Sequence, residues 1–148
     1  MKEDFESITI LMADDDADDR MLMKEALEES NLKNKIYFVE DGVELMDYLY
    51  KKGKFMLQEA LKPGLILLDL NMPRMDGREA LRRIKSDPDL RRIPVVVLTT
   101  STAEEDIVSS YDLGVNSYIS KPTKFTDLVK LTRQIGHYWL RTVELPKV

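Results

Sequence analysis

The chain has no cysteine and only one histidine, His137, among its 148 residues. That removes disulfides, thiolate metal centres and a cysteine nucleophile, and it argues against a multi-histidine metal site or a Ser-His-Asp triad. Long apolar runs are missing too, since none approaches the roughly 20 residues of a membrane-spanning helix. The opening Met1-Lys2-Glu3-Asp4-Phe5-Glu6 is acidic and lacks the basic start and apolar stretch of a signal peptide. A cytoplasmic location is therefore expected, with no membrane partner. Basic tracts are scarce: Arg82-Arg83 and Arg91-Arg92 are isolated pairs in a chain of net charge −5. Such a balance argues against a nucleic-acid partner.

What is present fits one globular domain over residues 1–148, with 43% hydrophobic and 33% charged residues. Short apolar segments alternate with helical patterns. Ile8-Thr9-Ile10-Leu11-Met12, Ile36-Tyr37-Phe38-Val39, Leu65-Ile66-Leu67-Leu68, Val95-Val96-Val97-Leu98 and Ser117-Tyr118-Ile119-Ser120 read as strands. Runs rich in Ile, Val and Leu suit strands covered on both faces of a parallel sheet. Between them, Met21, Leu22, Glu25 and Ala26 begin an amphipathic helix, and Asp41-Gly42 opens a second. A third is expected over Gly77 to Ser86, stopped by Asp87-Pro88, and a fourth runs from after Thr102 to Gly114. The last helix is expected over about 125–140, with a short tail at 141–148. Phe55 to Pro63 reads as an extension of the second helix or as a loop. Five β-then-α units predict an α/β fold with a doubly wound parallel sheet.

Open parallel sheets bind ligands beyond the carboxyl ends of their strands. Asp14-Asp15, Asp69, Asn71, Thr99 and Lys121 all stand at such ends and are expected to converge across 107 positions of sequence. Taken singly, each has an ordinary explanation. Asp69 suits a turn before Pro73, one of the early acids suits a helix cap, Thr99 favours strands, and Lys121 precedes a turn at Pro122. Five carboxylates within the six residues Asp14 to Asp19 exceed what one cap requires. Carboxylates gathered at one place repel, which raises their pKa values or calls for a cation. A hard divalent ion such as Mg²⁺ meets that need with oxygen ligands.

The chain resembles the receiver domain of two-component response regulators over nearly its whole length. The resemblance rests on Asp14-Asp15, on Leu67-Leu68-Asp69-Leu70-Asn71-Met72-Pro73-Arg74-Met75-Asp76-Gly77, on Thr99-Thr100 and on Tyr118-Ile119-Ser120-Lys121-Pro122. It implies a flavodoxin-like, CheY-like (βα)5 fold with five strands in the order 2-1-3-4-5. It also implies that Asp69 accepts a phosphoryl group from a histidine kinase. Mg²⁺ would be held by Asp15, Asp69 and the backbone carbonyl of Asn71, with Asp14 acting through water. Lys121 would grip the phosphoryl group, with a cis bond to Pro122, and Thr99 would move to donate to the new oxygens. Tyr118 would turn inward as that happens, and Gly77 would match the loop glycine.

A finer resemblance links the chain to stand-alone receivers of the phytochrome type. It is carried by the segment between Leu49 and Pro63, the run Pro94 to Ser101, the run Ser109 to Tyr118 and the ending Tyr138-Trp139-Leu140-Arg141-Thr142-Val143-Glu144-Leu145-Pro146. Asp16 and Ala17 depart from the Asn-Pro often found there. The implied partners are a sensor histidine kinase, of phytochrome type, or a histidine phosphotransfer protein, and the implied assembly is a homodimer. The expected function is thus a single-domain response regulator signalling through protein contacts, not an enzyme acting on a metabolite. Two alternatives stand beside it. One is a receiver fold serving as a static interaction module. The other is a small Mg²⁺-dependent phosphatase, which wants an acid two positions beyond its nucleophile, where this chain has Asn71.

Overall fold

The computed structural model describes residues 8–57 and 61–146. Its elements alternate throughout: β1 (Ile10–Ala13), α1 (Ala17–Glu29), β2 (Ile36–Val39), α2 (Gly42–Tyr50), β3 (Leu65–Leu68), α3 (Gly77–Ser86), β4 (Val95–Thr99), α4 (Glu104–Leu113), β5 (Ser117–Ser120) and α5 (Phe125–Ile135). The five strands form one parallel sheet in the order β2-β1-β3-β4-β5. This is the CheY-like receiver architecture. No helix among the described residues is long and apolar enough to cross a membrane.

Side-chain alternation along the strands builds two cores. Leu11, Ala13, Ile66, Leu68, Val95 and Val97 face the side packed with Leu45, Leu81 and Ile84 from α2 and α3. Ile10, Met12, Leu65, Leu67, Val96 and Leu98 face the other side, where Met23 and Ala26 of α1 meet Leu128 and Ile135 of α5. Each such large apolar side chain, taken out of water, contributes roughly 1.5–3 kcal/mol to folding. This two-sided burial explains why the strands read as continuous apolar runs.

Helix starts are set by acids. Asp16, Asp41 and Asp76 cap α1, α2 and α3, accepting backbone N–H groups of Asp18, Glu44 and Glu79 respectively. Lys51, in the left-handed region at φ 56°, ends α2. A tight turn follows at Gly53–Phe55, and among the described residues the stretch from there to Pro63 is a loop rather than an extension of α2. Residues 58–60 of that connection lie outside the described residues. The last helix also differs from expectation, because its α-helical part stops at Ile135 and a wider, π-helical turn continues over Gly136–Thr142. Gly136 sits against Leu32, where a side chain on the helix would collide.

Candidate functional site

Register places the acids. Ala13 of β1 pairs with Leu68 of β3, so the next residues, Asp14 and Asp69, emerge side by side at the carboxyl edge. The Asp69 N–H is held by the Ala13 carbonyl at 3.0 Å. Asp14 is fully buried and Asp69 nearly so, whereas Asp15 is exposed. Ligand oxygens of Asp14, Asp15 and Asp69 lie within 4.8 Å of one another. Three hard oxygen donors at that spacing, one of them open to water, form an acidic site suited to a divalent cation.

The remaining strand-end residues close around this trio. Thr99 Oγ donates to Asp69 Oδ1 at 2.7 Å, and the Asn71 N–H donates to the same oxygen at 3.2 Å. Lys121, whose own N–H is held by the Thr99 carbonyl at 2.8 Å, reaches back over the acids. Its Nζ lies 2.5 Å from Asp14 Oδ2, 2.8 Å from Asp19 Oδ2 and 3.1 Å from Asp69 Oδ2. Burial penalises this ammonium, but the carboxylates of Asp14 and Asp19 more than offset that and hold its pKa above the ordinary lysine value. Burial pushes the Asp14 carboxyl up, while the Lys121 contact and the Asp16 N–H pull it back. One ammonium thus faces four carboxylates, counting Asp15, and a large uncompensated negative charge remains for a cation to meet.

Every strand-end residue expected to converge does so. The Lys121–Pro122 bond is a correction: no peptide bond among the described residues is cis. With Lys121 N fixed to Thr99, the chain turns into α5 over the following residues with trans geometry. Tyr118 is half-buried, and its hydroxyl donates to the Ser101 carbonyl at 2.9 Å, two residues beyond Thr99. Asp19 was legible only as one member of an acidic run, and its contact with Lys121 was not foreseen. Arg78, Asp106 and Ser101 were missed as a group. Arg78 binds both Asp106 oxygens, at 2.8 and 2.7 Å, and Ser101 Oγ adds a third bond at 2.7 Å. Gly77 brings α3 against the segment that follows β3: its N–H donates to the Leu70 carbonyl at 2.8 Å, and a Cβ there would lie 2.1 Å from the Asp69 carbonyl oxygen.

The sequence profile of the response regulator receiver domain matches residues 10–133. The chain belongs to the response regulator receiver family. This receiver is 44% identical over 137 residues to response regulator Rcp1 of Synechocystis sp., covering 93% of this chain and 92% of Rcp1. Among solved structures, the phosphorylated cyanobacterial phytochrome response regulator RcpA superimposes with a TM-score of 0.89 at 46% identity, over 95% of this chain and 99% of that one. A Mn²⁺-bound form of Rcp1 superimposes with a TM-score of 0.87 at 44% identity, over 95% and 99% of the two chains. Membership makes this receiver a two-component signalling phosphoacceptor rather than an enzyme turning over a metabolite.

Proposed function

We propose that Asp69 is the residue that takes the phosphoryl group, from the phosphohistidine of a sensor histidine kinase, with Mg²⁺ as the cation. The observation that carries this reading is the meeting of Asp14, Asp15 and Asp69 beneath Lys121 and Thr99. Asp15, Asp69 and the backbone carbonyl of Asn71 would hold the ion, with Asp14 acting through water. Bound there, Mg²⁺ would neutralise charge on the transferring oxygens. A carboxylate oxygen of Asp69 attacks phosphorus; a P–O bond forms as the P–N bond of the donor breaks, and the imidazole departs with the electron pair. Lys121 supplies positive charge to the phosphoryl oxygens. Thr99, already a donor to Asp69, follows the new oxygens.

Movement of Thr99 reaches the surface through Tyr118, whose hydroxyl is tied to Ser101 in the same loop. We assign these two residues to the switch, since a tether between ring and loop lets one report on the other. The kinase partner is assigned as phytochrome-linked on the strength of the similarity to RcpA and Rcp1; a histidine phosphotransfer protein has the same donor chemistry. Homodimer formation would draw on α4, where Val108 and Tyr111 are 49% and 50% exposed, because Leu128 and Ile135 of α5 are already buried in the receiver's own core.

Intact mass after incubation with acetyl phosphate tests the assignment. One Mg²⁺-dependent phosphoryl adduct is expected on the wild type and none on Asp69→Asn. An adduct of equal yield on the Asn variant would move the acceptor elsewhere.

A further inference from the structure

An ammonium has three N–H donors, and in this receiver three carboxylates occupy them: Asp14, Asp19 and Asp69. Two of these acceptors have other work in the reading above. Asp69 becomes an acyl phosphate and gives up its negative charge, and Asp14 turns towards the cation. Asp19 has no such task. It stands on the first turn of α1, its N–H accepted by the Asp16 side chain at 3.3 Å, and lies outside the acidic trio.

The surroundings favour a firm contact. Asp19 and Lys121 border a cavity of about 20 Å³ whose other walls include Met12, Leu22, Leu98 and Leu128. Apolar walls weaken solvent screening and strengthen the attraction. The side chain of Asp19 is 33% exposed and that of Lys121 only 10%.

We infer that Asp19 is a positioning residue for phosphoryl transfer: it keeps the Lys121 ammonium over the acceptor while Asp14 and Asp69 are engaged elsewhere. The inference rests on the roles proposed above for Asp69 and Lys121. A lysine head on a flexible four-carbon stem loses its aim when its fixed anions leave. Asp19, anchored by a capped helix, does not leave. It occupies one donor, and two stay free for the phosphoryl group.

The test compares phosphorylation rates by acetyl phosphate at saturating Mg²⁺ for wild type, Asp19→Ala, Asp19→Asn, Lys121→Ala and the Asp19→Ala/Lys121→Ala pair. Loss of one charge-assisted hydrogen bond predicts a rate about tenfold lower for Asp19→Ala. Asp19→Asn, whose amide oxygen still accepts, recovers part of the rate. The double variant is no slower than Lys121→Ala, because Asp19 acts through Lys121. At saturating Mg²⁺ with no phosphoryl donor, where Asp14 and Asp69 turn to the cation, acylation of Lys121 by an amine-reactive ester, mapped by mass spectrometry, rises several-fold in Asp19→Ala. A wild-type rate in Asp19→Ala, a defect cured by more Mg²⁺, or additive losses in the double variant each overturn the inference. A wild type that takes no phosphoryl group counts against the Asp69 assignment instead. In that case the acylation measurement decides alone, and unchanged reactivity of Lys121 overturns the inference.

Discussion

The guanidinium of Arg78 holds both carboxylate oxygens of Asp106, at 2.8 and 2.7 Å, and so ties the first turn of α3 to the first turn of α4. Arg78 and Ser101 together hold the Asp106 carboxyl at about 2, below its ordinary 3.8. A depressed carboxylate stabilises the fold above its unfolded pKa, and that contribution disappears as pH falls through the folded value.

The first prediction follows from that sign. Arg78→Ala is expected to cost about 1–2 kcal/mol near neutral pH, the full shift being discounted because the Arg78 side chain is one-third exposed. Between pH 4 and pH 2, where the wild type loses this contribution, the variant is expected to show a flatter decline. Urea unfolding across that range is the measurement. Parallel acid profiles would mean that the ion pair adds nothing in solution.

Tyr118→Phe isolates the tether between β5 and the loop after β4. Removing its hydroxyl frees the Ser101 carbonyl and is expected to cost about 1 kcal/mol, a fall in Tm of about 2–4 °C. The ring itself stays half-buried, so the loss comes from the hydroxyl alone. Amide exchange at residues 100–103 should quicken in this variant, and unchanged exchange would show that the loop is held by Asp106 and Ser101 rather than by Tyr118.

The positions of these two contacts show where sequence stops speaking. Strands were legible because Leu65-Ile66-Leu67-Leu68 and Val95-Val96-Val97-Leu98 are buried on both faces, which demands apolar residues throughout. Convergence of Asp14, Asp69, Thr99 and Lys121 was legible because parallel strands deliver their ends to one edge. Arg78 and Asp106 lie 28 positions apart, and their meeting depends on how α3 and α4 pack. Asp106 alone reads as an acid favouring a helix start, as does Asp19. The π-helical turn over Gly136–Thr142 continues α5 without a break that the sequence marks, and the neighbour of Gly136, Leu32, is met only across the fold.

Cation binding has its own signature. A ligand that binds only the folded state stabilises it by about 2.7 kcal/mol at a hundredfold excess over Kd. Mg²⁺ is therefore expected to raise the Tm of the wild type. Asp15→Ala should abolish the rise with little cost to the Mg²⁺-free protein, since Asp15 is exposed and outside both cores. Thermal scans with and without Mg²⁺ decide the matter, and a full shift in Asp15→Ala would remove that residue from the ligand set.

Two glycines give a paired prediction. At Gly77 an added methyl would meet backbone, the Asp69 carbonyl oxygen at 2.1 Å and the Leu70 Cα at 2.7 Å. Backbone of the Asp69–Leu70 segment has nowhere to go without moving Asp69, so Gly77→Ala is expected to cost about 3 kcal/mol and, with Asp69 as the proposed acceptor, to slow phosphorylation. At Gly136 the methyl would meet Leu32 Cδ1 at 2.3 Å, the far end of a flexible side chain. Leu32 can turn aside, so Gly136→Ala is expected to cost about 1 kcal/mol and to leave phosphorylation intact. Leu32→Ala should remove that cost when combined with Gly136→Ala, because the clash and the relief involve the same two residues. Equal damage from the two single substitutions would show that the tight approach of α3 to Asp69 has no special bearing on the site.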